Sequence, residues 1–135
     1  MSNYLLIGIL SGVLFSLMDG LINANPLALQ LYEVYRPIAR SSVNAPVGIA
    51  VDLIYGVVMA AVFLRLYERL PGGAGLTKGL SFAILAWFFR VLMPAVSQWM
   101  MFNVPAATLV YGLVTGLAEM LAIGLLFGLT LRPAK

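Results

Sequence analysis

Residues 86–96 read AWFFRVLMPAV, an apolar run holding one arginine, Arg90, four residues ahead of Pro94. A guanidinium in hydrocarbon is expensive, about 2.5–3.5 kcal/mol near the centre of a membrane helix. Whether this run crosses a bilayer therefore decides how the rest of the chain is read. Followed outward, the apolar character extends from Thr77 to about Val96, close to the ~20 residues a spanning helix needs. Three more stretches share it: Tyr4 to about Ile22, Pro46 to about Leu64, and Val104 to about Leu129.

Composition agrees. Of 135 residues, 62% are hydrophobic and 10% charged, and the mean hydropathy is +1.01. A soluble domain carries roughly 25% charged residues, so this chain lacks the polar surface to wet itself. The expected fold is all-α, a polytopic membrane protein in which four transmembrane helices (4–22, 46–64, 77–96 and 104–129) form one bundle over residues 1–135. The first span is expected to stay in place and not to be cleaved as a signal peptide. It has no basic leading segment, and asparagines follow it instead of a small-residue cleavage site.

The basic residues flank the spans. Arg65, Arg69, Lys78, Arg132 and Lys135 fall on the side of the termini, Arg36 and Arg40 on the other. That asymmetry predicts both termini in the cytoplasm and an inner or plasma membrane. No basic run exists to bind nucleic acid. Cysteine and histidine are absent, which excludes disulfides, thiolate metal sites and imidazole-ligated haem. No metal, no cofactor and no enzyme activity is expected, since no nucleophile–base pair, ligand set or phosphate loop is legible.

The connection NANPLALQLYEVYRPIARSSVNAP (residues 23–46) is too long for a turn. Asn25-Pro26 reads as an N-cap followed by proline at the first helical position. The helix is expected over residues 26–35, stopping near Pro37. Its apolar and aromatic surface suggests an amphipathic helix lying in the membrane interface, with a lid or a partner-docking helix as the alternative. In the glycine-rich connection before the third span, Thr77 is the expected N-cap. A weak internal echo pairs Gly8, Asp19 and Leu21 with Gly79, Arg90 and Leu92 at an offset of 71, and Tyr55-Gly56 with Tyr111-Gly112. It reads as two tandem helical hairpins or as chance similarity among apolar helices.

Each span carries one ionisable residue near or within its interior: Asp19, Asp52, Arg90 and Glu119. Counted from the expected ends, Asp19, Asp52 and Arg90 fall at nearly one level, so Arg90 is expected between the two aspartates, its fork satisfying both. Pro94 cannot donate to the Arg90 carbonyl, which places a kink and a freed acceptor at the same depth. This outer charge cluster reads either as a clasp that specifies helix assembly or as a binding or conduction site. Trp87, one turn before Arg90, is expected to shield it or stack on it. Trp99 is expected to anchor the connection at the interface.

Glu119 lies near mid-span with no partner evident at its depth. Thr108, Tyr111, Thr115 and Glu119 recur at three, four and four residues and make one polar helix face. These four are the candidate binding or coupling residues. Burial of a lone carboxyl favours its neutral form, so Glu119 reads either as a protonated acid bonded across a helix contact or as a proton or cation site. Gly112 and Gly116 beside the stripe, with Gly124 and Gly128 beyond it, permit close helix approach. Small or polar faces on the first helix (Gly8, Gly12, Ser16, Asp19) and the second (Asp52, Tyr55, Gly56) complete an inward-facing set.

Two function classes remain. One is a homo-oligomeric transporter or channel for a proton, cation or small solute. The other is a non-catalytic subunit or assembly factor of a larger membrane complex. The expected partners are the lipid bilayer and either further copies of the chain or other membrane subunits.

Overall fold

The computed structural model describes residues 2–134; Lys135, counted above among the flanking charges, lies outside them. The described chain is helical throughout. Helix α1 (Ser2–Asn23) is followed by the short α2 (Pro26–Leu31) and a 3-10 turn (Tyr32–Ile38), then α3 (Ala45–Leu66). Next come α4 (Gly75–Trp87), a π-helical turn (Phe88–Leu92) and α5 (Met93–Met101), which together form one continuous rod, and finally α6 (Ala106–Thr130). Four helical runs, Asn3–Asn23, Ala45–Arg69, Gly75–Met101 and Ala106–Thr130, are long and apolar enough to cross a membrane. They alternate in direction. One end of the bundle holds the termini and residues 67–74 (the terminal end); the other holds residues 24–44 and 102–105 (the distal end).

The sequence signals for the helix starts are realised in part. Asn25 caps α2, its Oδ1 accepting from the Ala28 N–H at 2.9 Å, and Asn44 caps α3 through the Val47 N–H at 3.3 Å. Thr77 does not cap the third span. That helix begins two residues earlier at Gly75, with Ala74 at the capping position and no side-chain bond. A different residue closes the facing terminus: Lys78 is buried, and its Nζ donates to the carbonyls of Tyr67 (2.6 Å) and Leu70 (3.1 Å) while lying 4.9 Å from the Tyr67 ring centre. A cation at the C-terminal end of α3 satisfies carbonyls that have no helical partner.

Helices pair through glycine. In the first hairpin α1 packs on α3, where a Cβ on Gly56 would collide with the backbone of Gly8 and Gly12. In the second, Gly75 and Gly79 of α4 meet Gly124 and Gly128 of α6 backbone to backbone. The echo between Gly8 and Gly79 is thus matched in packing. The echo between Gly56 and Gly112 is not, because a Cβ on Gly112 would meet nothing within 4 Å. Small residues let helices approach where lipid offers no hydrophobic drive to push them together.

The two hairpins join at the terminal end. Phe63, Phe82 and Phe127 form a buried aromatic cluster with ring centres 5.3–6.0 Å apart, and Met120, Ile123 and Leu131 fill in around it. Toward the distal end the packing gives way to polar groups. The third span does not end near Val96 as its sequence suggests. Pro94 has no N–H to give, and the chain answers with a π turn in which the Met93 N–H reaches back to the Phe88 carbonyl. A wide turn of this kind absorbs the missing bond and lets the helix continue, here to Met101.

Candidate functional site: a charged cavity in the distal half

The π turn and the added length of the third span set the position of Arg90. It lies eleven residues before Met101, and Glu119 lies thirteen residues after Ala106. At about 1.5 Å per residue the two are within roughly 3 Å of one level. They meet: Arg90 Nη1 donates to Glu119 Oε2 at 3.1 Å. Two sequence expectations are corrected here. Glu119 has a partner, and Arg90 is not forked between Asp19 and Asp52. Asp52 instead accepts from Ser16 Oγ at 2.9 Å. The Arg90 guanidinium lies 5.1 Å from the Phe15 ring centre and 5.0 Å from that of Tyr55, so aromatic faces flank the charge. Trp87 does not stack on it; its Nε1 donates across the helix pair to the Leu113 carbonyl at 3.0 Å.

Glu119 is nearly fully buried, with 5% of its side chain exposed, and its second oxygen, Oε1, has no hydrogen-bond partner. Asp19 lines one cavity with Glu119 and Arg90 and a second with Asp52. Antiparallel geometry brings it there. Side chains tilt toward the N-terminus of their own helix, so Asp19 on α1 and Glu119 on α6 lean toward one another. Asp19, Glu119 and the Arg90 guanidinium thus line one space, with Asp52 set apart on Ser16. Among the described residues no three acidic side chains converge as a metal-binding group would.

These groups floor a cavity of about 380 Å³, walled by Val91, Pro94 and Ala95 on one side and by Leu109, Gly112 and Gly116 on the other. Of the four stripe residues, Thr108, Thr115 and Glu119 line it and Tyr111 does not. The upper half of the stripe is occupied with holding the connection. Thr108 Oγ1 donates to the Leu31 carbonyl at 2.7 Å; the Tyr111 hydroxyl donates to the Ile22 carbonyl at 2.6 Å and accepts from Asn25 Nδ2 at 2.8 Å. Thr115 bonds back to the Tyr111 carbonyl of its own helix at 2.7 Å.

The connecting segment also differs from the amphipathic helix expected over residues 26–35. Its α-helical part ends at Leu31 and a 3-10 turn carries on through Pro37. Ala28 is fully buried against the bundle, and Tyr32 and Tyr35 overhang the cavity. Tyr35 donates to Gln98 Oε1 on α5 at 3.0 Å, closing the roof to the third span. Burial, with Tyr111, Tyr35 and Asp19 nearby, pushes the Tyr32 phenol above its ordinary range. Sequence reasoning missed Tyr32, Tyr35 and Gln98 as cavity residues. The signal was Gln98, a polar side chain two turns beyond Arg90 on the same helix. Trp99, placed in a connection by its sequence, sits on α5 and is exposed.

A second cavity of about 510 Å³ opens on the other side of α1, lined by Ser16, Gly20, Gly48 and Asp52. Asp19 and Asn23 border both cavities. No family model, curated protein or solved structure matches the chain.

Proposed function

We propose that the chain is an integral membrane transporter or channel of small size, acting as a homo-oligomer with both termini cytoplasmic and the distal cavity facing outward. Its cargo is a proton, a cation or a small cationic solute. The observation that carries this reading is the unpartnered Oε1 of Glu119, buried at the floor of a polar cavity. A carboxylate oxygen left without a donor in a low-dielectric interior is costly, on the order of several kcal/mol. A purely architectural ion pair gains nothing from it. A site that receives a positive charge requires it. The tightly packed terminal half would then be the closed gate of this conformation, and the Arg90–Glu119 pair the group that an arriving cation rearranges.

The test is flux through the purified protein in liposomes under an imposed gradient, read with a pH-sensitive dye inside the vesicle. Glu119→Gln should abolish it while unfolding in detergent stays close to that of the native chain. Equal flux in both proteins removes Glu119 from the mechanism.

One observation favours the alternative of a complex subunit. An apolar cleft of about 380 Å³ opens between α3 and the third span, lined by Met59, Val62, Leu85 and Phe89. A subunit would keep such a face for a partner helix. Native mass of the gently extracted protein separates the two: stoichiometric companions support the subunit, a homo-oligomer the transporter.

A further inference from the structure

We propose that Asp19 and Glu119 hold a single exchangeable proton between them, so that the site is a carboxylic acid–carboxylate pair contributed by α1 and α6 and not Glu119 alone. The proposal deepens the transport reading above and rests on it for its purpose, though not for its geometry.

Three observations converge on this pair. Glu119 Oε1 is buried without a donor, and the Asp19 carboxyl lines the same cavity beside it. Among the described residues no donor reaches the Asp19 carboxyl either; the one bond at this residue, from Asn23 Nδ2, goes to its backbone carbonyl. Two acceptor-only groups in contact repel unless a proton lies between them. A carboxylic acid donating to a carboxylate turns the repulsion into a short, charge-assisted bond. Paired aspartates elsewhere share a proton for the same reason.

Charge leads to the same count. The ionisable groups facing the pair are Asp52 and Tyr55 from α3, Arg90 from the third span, and Tyr32 from the connection, with Tyr111 beyond it. Arg90 neutralises one of the three carboxyls, through Glu119 Oε2. Asp52 has its own donor in Ser16. Three carboxylates against one guanidinium leave two charges; one proton shared by Asp19 and Glu119 leaves a single charge, on Asp52, which the neutral Ser16 hydroxyl hydrogen-bonds. Lys78, the other buried cation, is bound to carbonyls at the terminal end.

Asp19 is also the entry point. It borders both cavities, whereas Glu119 is reached only from the first. Uptake breaks one O–H bond of a hydronium ion in either cavity and forms one O–H bond on an Asp19 oxygen, leaving water; the acid then donates a hydrogen bond to Glu119 Oε1. Release breaks that O–H bond and forms hydronium again from a cavity water.

The experiment is an infrared acid–base titration of the intact protein in lipid nanodiscs, following the carboxylic-acid carbonyl band in the native chain and in Asp19→Asn, Glu119→Gln and Asp52→Asn. In the native chain one acid band should follow the shared proton. Removing either partner should move the midpoint of the remaining carboxyl by a unit or more, a tenfold change in proton affinity, while Asp52→Asn, which removes the carboxyl that shares the second cavity with Asp19, should keep one acid band and shift it less. An unmoved Glu119 midpoint in Asp19→Asn, confirmed folded by circular dichroism, overturns the shared proton. Proton flux in vesicles keeps the two proposals apart. A shared titration without flux refutes proton transport and leaves the pair; flux with an unmoved Glu119 midpoint in Asp19→Asn refutes the pair and leaves proton transport.

Discussion

Replacing Gly12 with alanine tests the packing that sets the charged half of the bundle. A Cβ there would lie 2.5 Å from Leu53 Cα and 2.8 Å from the Asp52 carbonyl oxygen, where ordinary contact begins at 3.4 Å. Both neighbours are backbone, so no side chain can swing aside; α1 and α3 must part by roughly 0.9 Å. Ser16, one turn further along α1, holds Asp52 at 2.9 Å. The same displacement stretches that bond to nearly 4 Å, beyond hydrogen-bonding range. Overpacking of this kind costs about 1–3 kcal/mol, and the half-exposed hydrogen bond adds about 1 kcal/mol. The higher helix propensity of alanine returns about 1 kcal/mol. A net loss of about 1–3 kcal/mol is expected, read from reversible unfolding in mixed micelles of rising dodecyl sulfate with Trp87 and Trp99 fluorescence as the signal. Gly112→Ala is the control, because nothing lies within 4 Å of its new Cβ; it should be neutral or slightly stabilising. Gly12→Ala as stable as the native chain, or Gly112→Ala equally damaging, would refute the packing.

Lys78→Met should lose about 2 kcal/mol in the same assay, since it strips the donor from the Tyr67 and Leu70 carbonyls, while Arg69→Met, whose charge makes no such bond, should change little. Tyr111→Phe removes the hydroxyl that ties Ile22 and Asn25 to α6. Cleavage of residues 24–44 by a soluble protease should accelerate about tenfold, as loss of about 1.4 kcal/mol implies. For Tyr32, whose phenol is pushed above the ordinary value of 10.0 chiefly by burial, the folded state holds the proton more tightly than the unfolded one. Its stabilising contribution is present below that value and lost as pH rises through the folded value. Tyr32→Phe should flatten the alkaline limb of the stability profile, and tyrosinate absorbance should show one late-titrating group missing.

The four long helices were legible because an apolar run of that length has few alternatives, and Asn25-Pro26 was legible because capping chemistry is local. Arg90 was misassigned for a specific reason. Ser97 and Gln98 read as the start of a connection, and depth is counted from the span's expected end near Val96. The helix instead runs on to Met101, because a π turn takes up the proline and the polar side chains find partners, Ser97 in the Met93 carbonyl and Gln98 in Tyr35. Five residues of added helix shift Arg90 by about 7 Å along the axis, from the level of the aspartates to that of Glu119. The fate of the α6 stripe was illegible for a different reason. Periodicity puts Thr108, Tyr111, Thr115 and Glu119 on one face but does not say that a segment 77 to 89 residues earlier would claim the first two.

The aromatic cluster of Phe63, Phe82 and Phe127 gives the molecule a fixed fulcrum at one end and long lever arms toward the other. Phe82 and Gln98 are sixteen residues apart on one rod, roughly 24 Å, so a tilt of about 5° about the cluster carries Gln98 by about 2 Å. That displacement is enough to part Tyr35 from Gln98, while near the fulcrum the same rotation moves the phenylalanine rings by a small fraction of an ångström. A small rotation at the tight end would therefore be magnified at the roof, beyond the π turn at Phe88–Leu92.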